Sequence, residues 1–236
     1  EKDIWLNFSP EEKQLYLANL AQVNEQLQQQ LELEQVDSIL IIAMMTRLRQ
    51  ICCEPRMLYE NYKGESTKFT MCLELIETLK ENGKKVLLFS SFTSIFDSFI
   101  EEFNQRGIKY HMITGAVDKK KRKEEVDAFQ SDDSDVFLIS LKAGGTGLNL
   151  TKAQAVIHYD PWWNVSAQNQ ATDRAYRIGQ TKNVLVYQLL MKNTIEAKIY
   201  EMQKRKKEMS DIFVENSNGG ISTLSKEELR DLFSME

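Results

Sequence analysis

The pattern of hydrophobic positions along the chain changes near residue 84. Before that point, apolar residues recur at steps of three and four, as they do on one face of a helix: Tyr16, Leu20, Val23, Leu27 and Leu31. Ser9-Pro10-Glu11-Glu12 is typical of a helix start, and a second helix is predicted from Asp37-Ser38 until Pro55 stops it. A third is predicted from Ser66 or Thr67 to Gly83. We therefore expect residues 1–83 to be helical.

From residue 84 onward, short apolar runs rich in β-branched and aromatic residues alternate with helical stretches. The predicted strands are Val86–Phe89, Tyr110–Ile113, Val136–Ser140, Ala155–Tyr159 and Val184–Leu190. The predicted helices are Ser94–Arg106, Lys119–Phe129 and Ser166–Arg177. Near-continuous apolar strands with helices between them predict an α/β fold, a parallel sheet with helices on both faces. A long charged helix, Thr194–Phe213, and a capping box at Ser225 follow.

Polar and glycine residues follow four of the predicted strands. They are Ser90-Ser91, Thr114-Gly115, Gly144-Gly145-Thr146-Gly147 and Asp160. Ligands of open parallel sheets bind beyond the carboxyl ends of the strands. We therefore expect these residues to converge on a binding site.

Two arginines stand out in the run from Gln170 to Gln180. Gln170, Arg174 and Arg177 are spaced i, i+4 and i+7, which places them on one face of a helix. Guanidinium groups bind phosphate oxygens in a fork and stabilise the charge that grows during phosphoryl transfer. Spacing alone leaves a solvated helix face equally open.

Composition limits the classes of function. Among 236 residues, 30 basic and 35 acidic side chains give a net charge of -5, so contacts with nucleic acid must come from local patches. The three cysteines and two histidines form neither a disulfide framework nor a metal motif. No apolar stretch is long enough to span a membrane, and Glu1-Lys-Asp is unlike a secretion signal. We expect an intracellular protein, in the cytoplasm or nucleoid of a bacterium or in a eukaryotic nucleus.

Five ordered motifs resemble one family. They are Leu48–Arg56, Val86–Phe92, Val136–Leu150, Tyr159–Asn164 and Gln170–Gln180. Together they resemble the second motor lobe of the Swi/Snf family of DNA-translocating ATPases, in helicase-like superfamily two. The resemblance implies a RecA-like lobe at residues 84–192, a helical region at 1–83 that leads into it, and a bracing helix and tail at 193–236.

The resemblance also implies a nucleotide site. Arg174 and Arg177 match the paired arginine fingers of the family, and Gln170, Gly145, Thr146 and Gly147 match positions near ATP. The first lobe of the same polypeptide would supply the phosphate loop and the Mg²⁺ ligands. No G-x-x-x-x-G-K-[ST] sequence occurs in the chain. The chain is therefore expected to hold half of an active site and to be inactive alone.

A set of residues is similar to those with which the family contacts double-stranded DNA: Ser90, Ser91, Thr114, Gly115, Lys142, Gly144 and Trp163. The chain departs from the family at Thr114, Val165 and Tyr176, where aspartate, proline and histidine are common. For Trp162 and Trp163, anchoring in the core is an open alternative. For the basic run Lys119–Lys123, a solvated surface and DNA contacts are equally open. For Lys204–Lys207, a solvated surface is favoured over DNA contacts.

The expected function is therefore that of the second lobe of an ATP-dependent translocase on double-stranded DNA. A DNA- or protein-binding module that has lost catalysis is the main alternative, although such a binder would have no use for the arginine pair. An RNA helicase of the same superfamily is a further alternative, which the Trp163 turn and the Arg-Ile-Gly-Gln ending disfavour.

Overall fold

The computed structural model describes residues 1–144, 148–164, 168–169, 172–173, 183–212 and 224–234. The strands are β1 (Lys2–Leu6), β2 (Val86–Ser90), β3 (Tyr110–Ile113), β4 (Val136–Ser140), β5 (Ala155–His158) and β6 (Leu185–Met191). The helices are α1 (Pro10–Leu31), α2 (Ser38–Cys53), α3 (Thr67–Glu81), α4 (Ile95–Arg106), α5 (Lys119–Ser131), α6 (Leu141–Gly144), α7 (Ile195–Ile212) and α8 (Lys226–Leu232).

Six strands form one sheet in the order β1-β6-β5-β2-β4-β3. The pairs β2–β4, β2–β5, β3–β4 and β5–β6 are all parallel. β2 and β4 are buried along their whole length, as expected for central strands covered on both faces. The predicted α/β architecture with a parallel sheet is confirmed.

Alternate residues of the central strands pack on opposite faces of the sheet. On one face, Phe89 and Phe137 join a core cluster that includes Phe129 of α5. On the other, Phe99 of α4 contacts Tyr159 edge-to-face, with ring centroids 5.3 Å apart. These two layers of aromatic contacts hold the helices against the strands whose carboxyl ends carry the polar residues.

The chain divides into two compact units. Unit 1 contains residues 1–5 and 69–190, and therefore most of the sheet. Unit 2 contains residues 6–68 and 191–236, so it combines α1 and α2 with α7 and α8. The boundaries predicted from the sequence, 1–83, 84–192 and 193–236, stay a prediction about domains.

Among the described residues, the sequence did not predict β1, α6 or a one-turn 3-10 helix at Pro55–Met57. β1 lies at one edge of the sheet, within a region predicted to be helical. Most residues of β1 are exposed, because an edge strand has few neighbours. The alternation of buried and exposed positions that identifies a strand in a sequence is therefore weak. α6 is a single helical turn between β4 and the glycine-rich run 144–147, most of which lies outside the described residues.

Two further observations bear on the class of protein. The three cysteines, Cys52, Cys53 and Cys72, are buried and form no disulfide with one another. Within the described ranges, no helix is long and apolar enough to cross a membrane.

Candidate functional site

The predicted binding residues lie where four neighbouring strands end. β5, β2, β4 and β3 are consecutive in the sheet and parallel, so their carboxyl ends lie along one edge. Ser90 is the last residue of β2, and Thr114-Gly115 directly follows β3. Lys142 and Gly144 lie in α6 directly after β4, and Trp163 follows β5 by a few residues. The topology therefore places all seven predicted DNA-contacting residues beyond the same edge.

A buried carboxylate holds the turn after β2. The Ser90 hydroxyl donates to Asp160 Oδ1 at 2.8 Å, and the Ser91 amide donates to the same oxygen at 3.0 Å. The Ser91 hydroxyl donates to Oδ2 of Asp160, which has no exposed surface. The Ser90 hydroxyl also accepts from the Phe92 amide at 3.1 Å. Both serines therefore support the turn, and their hydroxyl protons are already engaged.

The turn after β3 packs against the helical turn after β4. A Cβ atom built on Gly115 would lie 3.3 Å from Cβ of Lys142, closer than most such contacts. Glycine at this position therefore allows the two turns to meet. Gly115 and Lys142 are both exposed, and Thr114 is half-buried. A cationic side chain thus stands beside an open backbone turn, an arrangement that suits an anion such as a phosphate.

The two adjacent tryptophans have different environments. Trp162 is 3% exposed and belongs to the core cluster, where its ring meets Phe89 edge-on at 6.2 Å between centroids. Core anchoring is therefore confirmed for Trp162. Trp163 is only half-buried at the same strand exit.

His158 is buried between these aromatic rings. Its ring stacks on Phe89 at 5.7 Å and meets Trp162 edge-on at 6.1 Å. Burial lowers the pKa of His158 to about 4, although the neighbouring Asp160 charge acts in the opposite direction. The imidazole is therefore neutral at neutral pH, and its Nε2 lies 2.8 Å from the Thr172 hydroxyl.

Comparisons with known proteins agree with this arrangement. Residues 67–179 match the family model described as the helicase conserved C-terminal domain. The chain is 38% identical over 236 residues to an uncharacterized ATP-dependent helicase of Mycoplasma pneumoniae, with 98% of this chain and 22% of that protein covered. The solved SWI2/SNF2 ATPase core of Sulfolobus solfataricus in complex with dsDNA superposes with a TM-score of 0.80 and 30% identity. That superposition covers 100% of this chain and 50% of the solved one. The chain belongs to the Swi2/Snf2 family.

Within this family, the chain corresponds to the C-terminal lobe. The solved C-terminal domain of the Sulfolobus solfataricus SWI2/SNF2 ATPase superposes with a TM-score of 0.78 and 25% identity. This match covers 100% of our chain and 98% of that domain. The chain therefore has about the extent of that domain, and it spans about a fifth of the length of its Mycoplasma relative.

The predicted nucleotide-contacting residues of this Swi2/Snf2 lobe lie outside the described part of the chain. They are Gly145, Thr146, Gly147, Gln170, Arg174 and Arg177. Their roles stay predictions. The structure does describe Gln168–Asn169 and Thr172–Asp173, all of which are helical. We call these four residues the pre-arginine segment, because Arg174 follows it directly.

Sequence reasoning missed several groups at the site. The position of Asp160 after β5 was recognised, but its bonds to both serines were not. Gln188 of β6 gave no signal at all, since a single glutamine in an apolar run has no diagnostic spacing. His158 is buried, and its contact with Thr172 is one that the sequence does not indicate.

Metal ligands were expected on the other lobe of such an ATPase. In the ranges that the structure describes, no group of three or more His, Cys, Asp or Glu side chains could hold a metal ion.

Proposed function

We propose that this chain is the second motor lobe of an ATP-dependent translocase on double-stranded DNA. The observation that carries the proposal is the superposition, over the whole chain, on a Swi2/Snf2 ATPase core in complex with dsDNA. The exposed Gly115–Lys142 pair, at the edge of the sheet where ligands of parallel sheets bind, supports it. The first lobe of the same polypeptide would complete the site and provide the ligands of Mg²⁺.

The proposed DNA contacts are to the backbone rather than to bases. Lys142 and the free backbone of Gly115 can hold phosphate oxygens without reading sequence. Thr114, Gly144 and Trp163 lie at the same edge, and we include them in this surface. Ser90 and Ser91 enter the proposal through the turn that they form with Asp160, because their hydroxyl protons are engaged. Binding should therefore tolerate any DNA sequence.

The proposed catalytic contribution comes from Arg174 and Arg177. They would contact the β- and γ-phosphates of ATP when the two lobes close, with Gln170 and Gly145–Gly147 beside the nucleotide. An arginine in this role supplies about 10³–10⁵ in rate, equivalent to roughly 4–7 kcal/mol of transition-state stabilisation.

Substitution of the two arginines tests this proposal. In the full-length protein, Arg174→Ala or Arg177→Ala should reduce DNA-stimulated ATP hydrolysis by about 10³-fold or more. Binding of duplex DNA and the temperature of unfolding should change little, because the arginines act on the nucleotide. Arg230, in α8, provides a matched Arg→Ala control.

Three results would each contradict a part of the proposal. If duplex DNA fails to stimulate hydrolysis by the wild-type protein, the chain is a binding module rather than a motor lobe. If RNA stimulates hydrolysis more than duplex DNA does, the assignment of double-stranded DNA as the partner is wrong. A stimulated rate that survives both arginine substitutions would remove the arginine-finger assignment.

A further inference from the structure

A closed ring of hydrogen bonds joins the pre-arginine segment to two strands of the sheet. His158 of β5 and Gln188 of β6 are direct partners in the strand register. Gln168 Nε2 donates to Gln188 Oε1 at 2.8 Å, and Gln188 Nε2 donates to the His158 carbonyl at 3.4 Å. The Trp162 amide donates to Gln168 Oε1 at 3.3 Å. Gln168 is thus held through both ends of its amide.

The second connection of the ring has a defined direction. Thr172 has one hydroxyl proton, and its oxygen lies 3.3 Å from the Gln168 carbonyl, which can only accept. The same oxygen lies 2.8 Å from Nε2 of His158. Both hydrogen bonds are made when Thr172 donates to the carbonyl and accepts from His158, so Nε2 carries the imidazole proton.

The two strand residues of this ring are shielded from water, and Gln168 and Thr172 are half-buried. His158 is 1% exposed and Gln188 is 5% exposed. The imidazole cannot turn freely, because Phe89 stacks on it and Trp162 lies against its edge. Hydrogen bonds among buried groups are stronger than they would be in water, so departures from this local geometry are costly. The hydrogen bonds therefore fix the position of Gln168 and Thr172, which precede Arg174, against β5 and β6.

The same strand exit also holds the turn after β2. Asp160, two residues beyond His158, accepts from Ser90 and Ser91. Residues 158–160 are thus bonded on one side to the turn at the proposed DNA surface and on the other to the segment that enters Arg174. If either the turn after β2 or the pre-arginine segment shifts, the contacts made by residues 158–160 must move or break.

We propose that His158 and Gln188 are positioning residues that hold the pre-arginine segment so that Arg174 and Arg177 are correctly placed for catalysis. The inference rests on the proposed function, since it concerns the arginines of that site. Both side chains are buried, and the proposed role acts through Gln168 and Thr172 rather than through contact with the nucleotide. Catalysis depends steeply on placement, and a displacement of about 1 Å can cost about a hundredfold in rate.

The test uses the Thr172 hydroxyl, which can be removed with almost no change of shape. In the full-length protein, Thr172→Val removes the acceptor of His158 and the donor to Gln168, whereas Thr172→Ser keeps both. We expect Thr172→Val to lower kcat of the DNA-stimulated reaction about tenfold to a hundredfold, with smaller changes in KM for ATP and in DNA affinity. Thr172→Ser should restore most of the wild-type kcat.

A double substitution separates positioning from general stability. If Thr172 acts through the arginine, Thr172→Val should have little further effect on the residual rate of an Arg174→Ala protein. Gln188→Met, which breaks the other side of the ring, should reproduce the loss of kcat. The midpoint of thermal unfolding is measured for every variant, and the comparison is made at a temperature where all of them are folded.

The outcomes distinguish this inference from the proposed function. Should Arg174→Ala abolish hydrolysis while folded Thr172→Val keeps the wild-type kcat, the positioning role is wrong and the motor assignment stands. Equal losses in Thr172→Val and Thr172→Ser would also overturn it, because the hydroxyl would not be the cause. If Arg174→Ala and Arg177→Ala both leave the rate intact, the arginine-finger assignment falls, and the positioning role falls with it.

Discussion

His111 is a titratable group held between two carboxylates in the part of the lobe near α5. Its Nδ1 lies 2.7 Å from Glu125 of α5, and its Nε2 lies 2.6 Å from Asp132, which follows α5. Lys85 also reaches Asp132, at 3.5 Å. Burial alone would lower the pKa of His111, but the hydrogen bonds to Asp132 and Glu125 outweigh it and raise the pKa above its usual value. A charged imidazole therefore stabilises the folded state.

The sign of the resulting pH dependence follows from linkage. Because the pKa is higher in the folded state than in the unfolded state, the contribution of His111 is complete below the unfolded pKa of about 6.5. It is lost as the pH rises through the folded pKa. We predict that the free energy of unfolding of the wild type falls more than that of His111→Gln between about pH 6 and about pH 9.

Urea unfolding at a series of pH values measures this difference. All other titrating groups are common to both proteins, so their effects cancel in the comparison. Parallel curves for the two proteins would show that folding does not raise the pKa of His111.

A buried ion pair connects the start of α3 with α7 in unit 2. Lys68 Nζ lies 2.6 Å from each carboxylate oxygen of Glu196, and neither side chain is exposed. Glu196 also accepts from the Met191 amide at 3.0 Å. Burial opposes the charge on Lys68, but the Glu196 carboxylate outweighs it, and the pKa of Lys68 is raised. The pair is thus charged, and each partner depends on the other.

We predict that Lys68→Met destabilises the protein by about 3–5 kcal/mol, because it leaves the Glu196 carboxylate buried without its cation. Lys68→Met combined with Glu196→Gln should cost less than the sum of the two single substitutions, since the stranded charge is removed. Lys63 is exposed and nearby in sequence, so Lys63→Met is a matched control. Urea unfolding of the four variants provides the values, and additive costs would contradict the pairing.

The elements differ in how far the sequence could predict them. β2 and β4 were predicted within one residue, because fully buried parallel strands read as uninterrupted apolar runs. The convergence of Ser90, Thr114 and Lys142 was also predictable, since parallel strands end at one edge. The ring through His158, Thr172 and Gln188 was not, because its bonds join residues whose pairing depends on the strand order β6-β5-β2. Likewise, nothing in the local sequence of Lys68 indicates a partner 128 positions away.

The charge distribution of the whole molecule is uneven. The net charge is -5, yet Lys142 and the start of α5 place exposed cations at the carboxyl edge of the sheet. Lys123 lies four residues after Lys119 and three after Lys120, so the three lysines share a helix face. In the described part of the chain, none of these three lysines forms an ion pair. Cations at a helix N-terminus oppose the macrodipole, so they do not stabilise α5 itself.

We therefore predict that these lysines contact DNA phosphates. Replacement of Lys119, Lys120 and Lys123 by glutamine in the full-length protein should weaken duplex binding for all sequences alike. It should also reduce the slope of log affinity against log salt by roughly two to three, because each phosphate contact releases about 0.9 of a counterion. Lys13, Lys63 and Lys192 are exposed lysines of unit 2, and their replacement by glutamine changes the net charge equally. If both triple variants reduce the slope to the same extent, the effect comes from net charge, and the row at α5 is an ordinary solvated surface.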